Sequence, residues 1–175
     1  MKALRMGLAT VALVAVGAAG AEAQRFGVQA NYGTDSELGV GARVEIGLPF
    51  ASTGTFSQTF LIGSFDYFFD CGFDGFGDSD AFDCSYWEIN ANAAVPLVAS
   101  GINPYVGAGL NYANYSVDVD TGFGDFDSSG SEVGLNILGG LRFPLGGLSA
   151  YGEGRFELGG GEQLVLTFGI LVGGS

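Results

Sequence analysis

Glu153 and Glu157 lie four residues apart in the segment YGEGRFELGG, with Arg155 between them. A pair of carboxyl groups can act as general acid and base, as in glycoside hydrolysis. On a β-strand these three residues would share one face, so they could instead form a buried ion-pair network. We favour the network, because Arg43 and Arg142 occur in segments of similar pattern and could supply further positive charge.

Histidine is absent from the sequence. It is the usual general base of serine and cysteine catalysis and the commonest transition-metal ligand. Outer-membrane lipases, acyltransferases and proteases use a histidine of this kind. We therefore predict that the protein is not an enzyme and that it has no catalytic residue, metal or cofactor.

Cys71 and Cys84 enclose the acidic stretch CGFDGFGDSDAFDC. In an exported chain two cysteines at this spacing favour a disulfide, and closing a loop of about 15 residues stabilises the fold by about 3 kcal/mol. Two free thiols or a metal pair are the alternatives. We predict a Cys71–Cys84 disulfide that restrains the acidic segment between the two residues.

The tetrapeptide GFGD occurs at 75–78 and again at 122–125. Carboxylates beside flexible glycines can bind Ca²⁺ or Mg²⁺ through oxygen ligands. Neither copy fits an EF-hand, because Phe76 occupies a ligand position and no glycine lies at the sixth position. A solvated acidic loop is the simpler interpretation, and divalent cations are kept only as candidate partners of these segments.

The N-terminus has the pattern of a secretory signal peptide. Lys2 and Arg5 precede a short, alanine-rich apolar run, and the triplet Ala21-Glu22-Ala23 resembles a cleavage site. A transmembrane anchor is the alternative, but it would need a longer apolar run. We predict a signal peptide at residues 1–23 and one domain at residues 24–175.

Removing residues 1–23 leaves four arginines, no lysine and 18 carboxylates, which is a net charge of −14. Nucleic acid is excluded as a partner, because its phosphates would be repelled. With 47% hydrophobic residues and 15 phenylalanines, most of the chain does not belong to the disordered acidic class. No later segment has the roughly 20 apolar residues of a membrane-spanning helix, so a spanning chain would have to cross with strands.

The segment LGVGARVEIGL, residues 38–48, is apolar at every second position. A period of two indicates a strand with two unlike faces. Most of the segments with this pattern have the roughly nine to eleven residues needed to cross a bilayer, and their number is even, as in a closed antiparallel barrel. The eight predicted strands are 25–33, 38–48, 59–69, 85–95, 104–117, 132–143, 148–158 and 163–172.

The connections between the predicted strands alternate in length. If the first strand rises from the periplasm, the outward loops are 34–37, 70–84, 118–131 and 159–162, and the inward turns are 49–58, 96–103 and 144–147. The two longest loops are both outward and together contain nine aspartates. Short turns on one side and long loops on the other are typical of bacterial outer-membrane barrels.

The two faces of the predicted strands differ in polarity. The residues of one face are almost entirely apolar, whereas the other face carries residues that we predict to form an interior polar network. These residues are Arg43, Glu45, Glu88, Arg142, Glu153 and Arg155. A soluble lipocalin-like barrel would exchange the two faces. Three features favour a membrane barrel: the polar face is rich in glycine and asparagine, lysine is absent after the leader, and aromatic residues collect at strand ends. The predicted girdles are Phe26, Phe50, Phe60, Tyr105 and Phe143 at one end and Tyr32, Tyr67, Phe69, Trp87, Tyr112 and Phe156 at the other.

Three stretches carry a resemblance to a known family: PYVGAGLNYA (104–113), GLNILGGLRFPLGG (134–147) and AYGEGRF (150–156). Together with the leader and the strand count, they resemble the OmpA-like family of small outer-membrane β-barrels. The resemblance implies an all-β protein, a monomeric eight-stranded antiparallel transmembrane up-and-down β-barrel. It also implies a location in the bacterial outer membrane, in contact with outer-membrane lipid.

The interior of an eight-stranded barrel is just wide enough to be filled by side chains, which disfavours an open porin. We predict a structural or surface-interaction role, with the acidic extracellular loops as the surface that meets an extracellular partner. The alternative is a narrow channel or a transport barrel for small or hydrophobic solutes. That alternative requires the apolar inward positions, such as Phe60, Ile62, Val165 and Leu171, to be continuous.

Overall fold

The computed structural model describes residues 24–48, 58–69, 82–97, 102–120, 125–159 and 162–173. These residues form eight antiparallel strands, each paired with the next, and the last closes on the first. The strands are β1 (Gln24–Gly33), β2 (Glu37–Gly47), β3 (Phe60–Phe68), β4 (Phe82–Pro96), β5 (Asn103–Asp120), β6 (Asp125–Leu145), β7 (Leu148–Leu158) and β8 (Leu164–Gly173). The predicted up-and-down barrel is confirmed. The described residues include no helix with the length and apolar character needed to cross a membrane.

The barrel has its apolar side chains outside and its charged side chains inside. Val28, Val133 and Phe168 point outward and are each 68% exposed, whereas Asp66 and Glu88 are 0% exposed. A strand alternates its side chains between the two faces, so strict alternation in sequence produces this separation. The lipocalin-like alternative requires the opposite arrangement and is therefore excluded.

We call the end that carries the β1–β2, β3–β4, β5–β6 and β7–β8 connections the loop end, and the other the turn end. At the turn end, Leu145 pairs with Leu148 and only Gly146 and Gly147 join β6 to β7. Gly146 has a φ of 74°, a conformation that glycine adopts without steric cost and that two-residue hairpins require. The predicted turn at 144–147 agrees with this hairpin.

Three strands extend further at the loop end than the alternation indicated. Pairing of β3 with β4 stops at Phe68 with Tyr86, and pairing of β6 with β7 stops at Leu135 with Leu158. Strands β4, β5 and β6 continue beyond these points, where among the described residues they pair only with one another. We call this part, residues 82–85, 116–120 and 125–129, the projecting sheet.

The projecting sheet corrects two loop predictions. Residues 82–84 and most of 118–131 are strand, not loop. Aspartate, serine and glycine have low intrinsic β-propensity, so the sequence pattern ended the strands too early. Continued backbone pairing between β5 and β6, up to Asp120 with Asp125, outweighs that local preference.

Two aromatic residues assigned to a girdle instead point into the barrel. Phe60 and Tyr105 are buried, and their rings meet edge to face with centroids 5.7 Å apart. Val106, the residue after Tyr105, faces outward, so the alternation of side chains directs Tyr105 into the barrel. Phe50 lies outside the described residues. The exposed girdle residues are Phe26, Tyr32, Tyr67, Phe69, Tyr112, Phe143 and Phe156.

Candidate functional site

The turn-end half of the interior contains a cluster built around Arg43 of β2. The Arg43 guanidinium donates to Glu153 Oε2 at 2.9 Å and to Glu45 Oε1 at 2.9 and 3.1 Å. Arg142 of β6 also donates to Glu45, on its other oxygen. Arg25 approaches the same carboxylate from the rim, at 3.6 Å. Two buried carboxylates thus meet two buried arginines and one half-exposed arginine, and their charges are compensated.

Tyrosine rings pack against the arginines of this cluster. The guanidinium carbon of Arg43 lies 4.4 Å from the ring centroid of Tyr151, a cation–π distance. Tyr105 donates its hydroxyl to Glu153 Oε2 at 2.8 Å. A side chain at Gly169 would place its Cβ 2.6 Å from the Tyr151 ring, and one at Gly140 would meet the Tyr105 ring. The interior glycines therefore make room for flat packing of the rings against the barrel wall.

The loop-end half contains a second cluster around Arg155 of β7, which is 1% exposed. Its Nε donates to Glu157 Oε1 at 2.7 Å, and its Nη2 donates to Glu88 Oε2 at 2.8 Å. The same Nη2 lies 3.5 Å from Asp66 Oδ2. One arginine thus meets three fully buried carboxylates, so neutral donors must supply much of their stabilisation.

Amide and hydroxyl donors complete the second cluster. Gln163 Nε2 lies 3.0 Å from both Glu88 Oε1 and Glu157 Oε2, and so bridges the two carboxylates. Asp66 accepts hydrogen bonds from the side chains of Gln29, Asn31, Ser64 and Asn90. Gln29 also accepts from the Tyr151 hydroxyl and thereby links the two clusters.

All six residues of the predicted polar network are buried, and the structure divides them between the two clusters. The cluster around Arg43 contains Glu45, Arg142 and Glu153, and the cluster around Arg155 contains Glu88. Sequence reasoning did not assign Asp66 or Gln163 to the network. The third strand alternates irregularly, so the sequence did not show that Asp66 points inward. Gln163 lies just before β8, in a stretch without the alternation that would assign its side chain to a face.

The positions of Glu153 and Glu157 favour ion pairing over acid–base chemistry. Each carboxylate binds a different arginine, and both residues are buried. A general acid or base must reach a substrate proton within about 3 Å or through one water. Neither group offers that access, because the arginines and tyrosines occupy its surroundings.

Two separate groups of apolar side chains are buried in the interior. The turn-end group consists of Phe60, Ile62, Ala94, Tyr105 and Leu138, and the loop-end group consists of Phe68, Tyr86, Ala113 and Val165. Both groups also contact the charged clusters, because Tyr105 donates to Glu153 and Tyr86 donates to Glu88. The apolar inward positions named for a hydrophobic conduit are therefore not continuous.

The cysteines and the GFGD copies fall largely outside the described residues. Cys71 and the segment 75–78 lie outside them, as do residues 122–124. For Cys84 the structure gives only its place in β4, where its backbone pairs with Val117. The described residues contain no group of three or more acidic, cysteine or histidine side chains arranged to hold a metal ion. The disulfide and the cation sites stay predictions.

The residues at the outward-facing positions of β4, β5 and β6 change in type where the projecting sheet begins. Within the barrel wall these positions carry mostly apolar residues, up to a row that pairs Trp87, Asn114 and Ser131, and the first row of the projecting sheet pairs Ser85, Ser116 and Ser129. The next row of the same parity pairs Asp83, Asp118 and Asp127, and the last pairs Asp120 with Asp125. The Ser85 and Ser116 hydroxyls are 2.9 Å apart. In the backbone register, serine and then aspartate thus follow the residues of the barrel wall.

Comparison with solved structures identifies the fold. The barrel is similar to a major outer membrane protein from Thermus thermophilus, with a TM-score of 0.56 and 14% identity over 86% of this chain and 99% of that chain. It is similar to Neisserial surface protein A, with a TM-score of 0.53 and 17% identity over 85% and 94%. It is also similar to Ail, the attachment invasion locus protein of Yersinia pestis, with a TM-score of 0.53 and 16% identity over 86% and 94%.

These neighbours confirm the fold that the resemblance implied, a small outer-membrane eight-stranded β-barrel. No protein-family model matches the sequence. No curated protein matches it either.

Proposed function

We propose that this chain is a non-enzymatic outer-membrane barrel with a structural or surface-interaction role, and that its recognition surface is the acidic projecting sheet with the neighbouring loops. The observation that carries the proposal is the backbone register of β4, β5 and β6, in which the aspartates of the projecting sheet follow the apolar outward positions of the barrel wall. An apolar belt is compatible with hydrocarbon, whereas rows of carboxylates require water. The belt therefore lies in the membrane and the projecting sheet extends beyond it.

The orientation follows from the two ends of the barrel. The loop end carries the longest connection, β3–β4, and the projecting sheet, whereas the turn end carries the β2–β3 and β4–β5 connections and joins β6 to β7 with two glycines. Bacterial outer-membrane barrels have short periplasmic turns and longer extracellular loops, and this pattern supports a position outside the cell for the projecting sheet. One of the similar structures is called a surface protein and another an attachment invasion locus protein. A comparable surface role for this chain is part of the proposal.

Three further statements belong to the same proposal. Residues 1–23 act as a signal peptide, and residues 24–175 form the barrel domain. Cys71 and Cys84 form a disulfide that restrains the acidic β3–β4 connection. The two charged clusters of the interior stabilise the barrel and keep its lumen filled.

The recognition surface is tested by removing it while the barrel is kept. Because Ser116 and Ser129 are paired, residues 117–128 can be replaced by Asn-Gly, a two-residue hairpin turn. In zwitterionic nanodiscs, a ten-residue lysine peptide should bind the shortened barrel at least about tenfold more weakly than the original, since four aspartates are lost. Biolayer interferometry at low and high salt measures the difference.

A matched variant separates charge from length. Changing Asp118, Asp120, Asp125 and Asp127 to Asn keeps all the residues and should weaken binding of the lysine peptide to a similar degree. Heat-modifiable mobility on gels establishes that each variant folds. Undiminished binding by both folded variants would contradict the assignment of the recognition surface.

The sealed interior predicts that the protein does not conduct ions. The charged clusters and the apolar group at each end occupy the lumen, so purified protein in a planar bilayer should give no reproducible current steps. A variant with the turn-end group reduced, Phe60→Ala with Tyr105→Ala, serves as the positive control for a wider lumen. Regular steps from the unaltered protein would instead support the narrow-channel alternative.

A further inference from the structure

A groove of about 640 Å³ lies on the outer wall of the barrel, where β1 and β2 meet. Ala30 and Ala42 are the smallest of the outward side chains that line it, and they form its floor. Phe65 of β3 borders the groove on one side and Phe168 of β8 on the other. In the strand register Ala42 pairs with Phe65 and Ala30 pairs with Phe168, so each alanine lies beside a phenylalanine. We call this depression the wall groove.

The two phenylalanine rings lean away from the floor of the wall groove. The ring of Phe65 stacks on Trp87 of β4, with ring centroids 6.0 Å apart and planes inclined by 29°. The ring of Phe168 lies over Gly152 of β7, where an added Cβ would be 3.4 Å from Phe168 Cε1. Each ring therefore packs against the strand farther from β1 and β2, and the floor stays uncovered.

The wall groove is continuous with the apolar surface that the proposed function places in hydrocarbon. It extends from Val28, in the middle of β1, toward Tyr67 of β3, nearer the loop end. Apart from the Tyr67 hydroxyl, its outward side chains are apolar. The bilayer core holds no water that could fill a depression in the wall, and an unfilled gap would forfeit the dispersion contacts of its lining. Lipid chains must therefore fill it.

The size of the wall groove suits one lipid chain rather than a second barrel. It spans three residues of each of four strands, or about 7 Å along the strands and about 14 Å across them. A specific protein interface needs about 800 Å² from each partner, several times this area. If a methylene group is counted like a water molecule, at roughly 30 Å³, the groove holds about 20 of them, close to one acyl chain.

We propose that the wall groove binds one acyl chain of a membrane lipid and retains it longer than the rest of the wall retains its lipid neighbours. The floor and the bordering rings contact a chain on more sides than a convex wall does. Methyl branches widen a chain, so the groove selects straight chains. The inference rests on the proposed function only because it requires the apolar wall to lie in hydrocarbon.

Photolabelling in vesicles measures the occupancy of the wall groove. The probe is a phosphatidylcholine with a diazirine in the middle of one straight chain, present as a minor component of diphytanoyl phosphatidylcholine, whose chains are branched. Mass spectrometry then gives the yield of label at each residue. We expect the yield at Val28 and Val40 to exceed that at Leu110 and Leu135, which are exposed on β5 and β6. The excess should be at least about threefold, an enrichment that burial of one further methylene group produces.

Filling the floor is the first test of the assignment. Ala30→Phe with Ala42→Leu should lower the labelling of the groove to the level of the β5–β6 wall. Ala91→Phe with Ala108→Leu adds the same side chains at exposed positions of β4 and β5 and should leave the labelling of the groove unchanged. Heat-modifiable mobility establishes that each variant folds.

A second pair of variants leaves the floor untouched. Gly152→Val should push the Phe168 ring toward Ala30 and reduce the labelling of the groove. Gly154→Val is the matched control, because an added Cβ there would be 3.8 Å from Leu166 Cδ2, which leaves more room.

The outcomes separate this inference from the proposed function. Equal labelling of the groove and the β5–β6 wall overturns the acyl-chain site, and the placement of the wall in hydrocarbon stands. No labelling of either wall in folded protein overturns both. Labelling of the groove that falls as the protein-to-lipid ratio rises would assign the groove to a second copy of the chain and would also overturn the acyl-chain site.

Discussion

Replacing Arg155 with methionine is expected to lower the free energy of unfolding by about 3–5 kcal/mol, the largest effect expected of a single substitution in this barrel. Among the described residues, Arg155 is the one cation in contact with Asp66, Glu88 and Glu157, and all three carboxylates are fully buried. Without it, their charges are uncompensated in a medium of low polarity. Urea unfolding in phospholipid vesicles, followed by the fluorescence of Trp87, measures the change; Trp87 is the only tryptophan of the chain.

Two comparisons show whether the loss comes from uncompensated charge. Adding Glu157→Gln to the Arg155→Met variant removes one buried charge and should restore part of the stability. Arg25→Gln, which affects a half-exposed arginine at the rim, should cost no more than about 1 kcal/mol. If Arg155→Met unfolded at the same urea concentration as the original, the cluster would contribute nothing to stability.

The second large effect is expected on the outer surface. Val28 lies in the middle of β1, pairs with Ala42 and Ile170, and is 68% exposed. Val28→Arg should destabilise the barrel in vesicles by about 2–4 kcal/mol, the cost of an arginine on the lipid face near the bilayer midplane. The same unfolding measurement applies.

The matched control is the same substitution at a position closer to the membrane surface. Leu38 is also outward and exposed, but it pairs with Tyr32 near the loop end of the barrel. Leu38→Arg should cost only about 0–1 kcal/mol, because the side chain reaches the interface. An equal cost at both positions, or none at either, would show that the apolar face does not lie in hydrocarbon.

The predictions for Arg155 and Val28 concern the inner and the outer surface of the barrel wall. Arg155 and Val28 are both in the barrel, yet the first needs anionic partners in the lumen and the second needs apolar surroundings outside. On the proposed function, the loop end is the place where the protein meets other molecules. The projecting sheet is the part of the described structure that extends beyond the barrel wall there.

The alternation of side chains determined the barrel, its eight strands and the face on which most of the charges lie. Arg43 and Glu45 illustrate this, because their inward position follows from the apolar residues on either side. The period of two is a local property of the strand backbone, so it can be recognised without knowledge of any other strand. The residues of one strand face lack charge, and this indicated a lipid-facing surface. It too can be recognised from each strand separately.

Only the tertiary structure decided which charges meet. Arg43 binds Glu153, which is 110 positions away, and Arg155 binds Glu88 across the lumen. Alternation assigns a face but not a height or a partner, since those depend on the tilt and register of all the strands together. The extension of β5 and β6 into the projecting sheet depended in the same way on pairing between strands, because the local preferences of aspartate, serine and glycine oppose it.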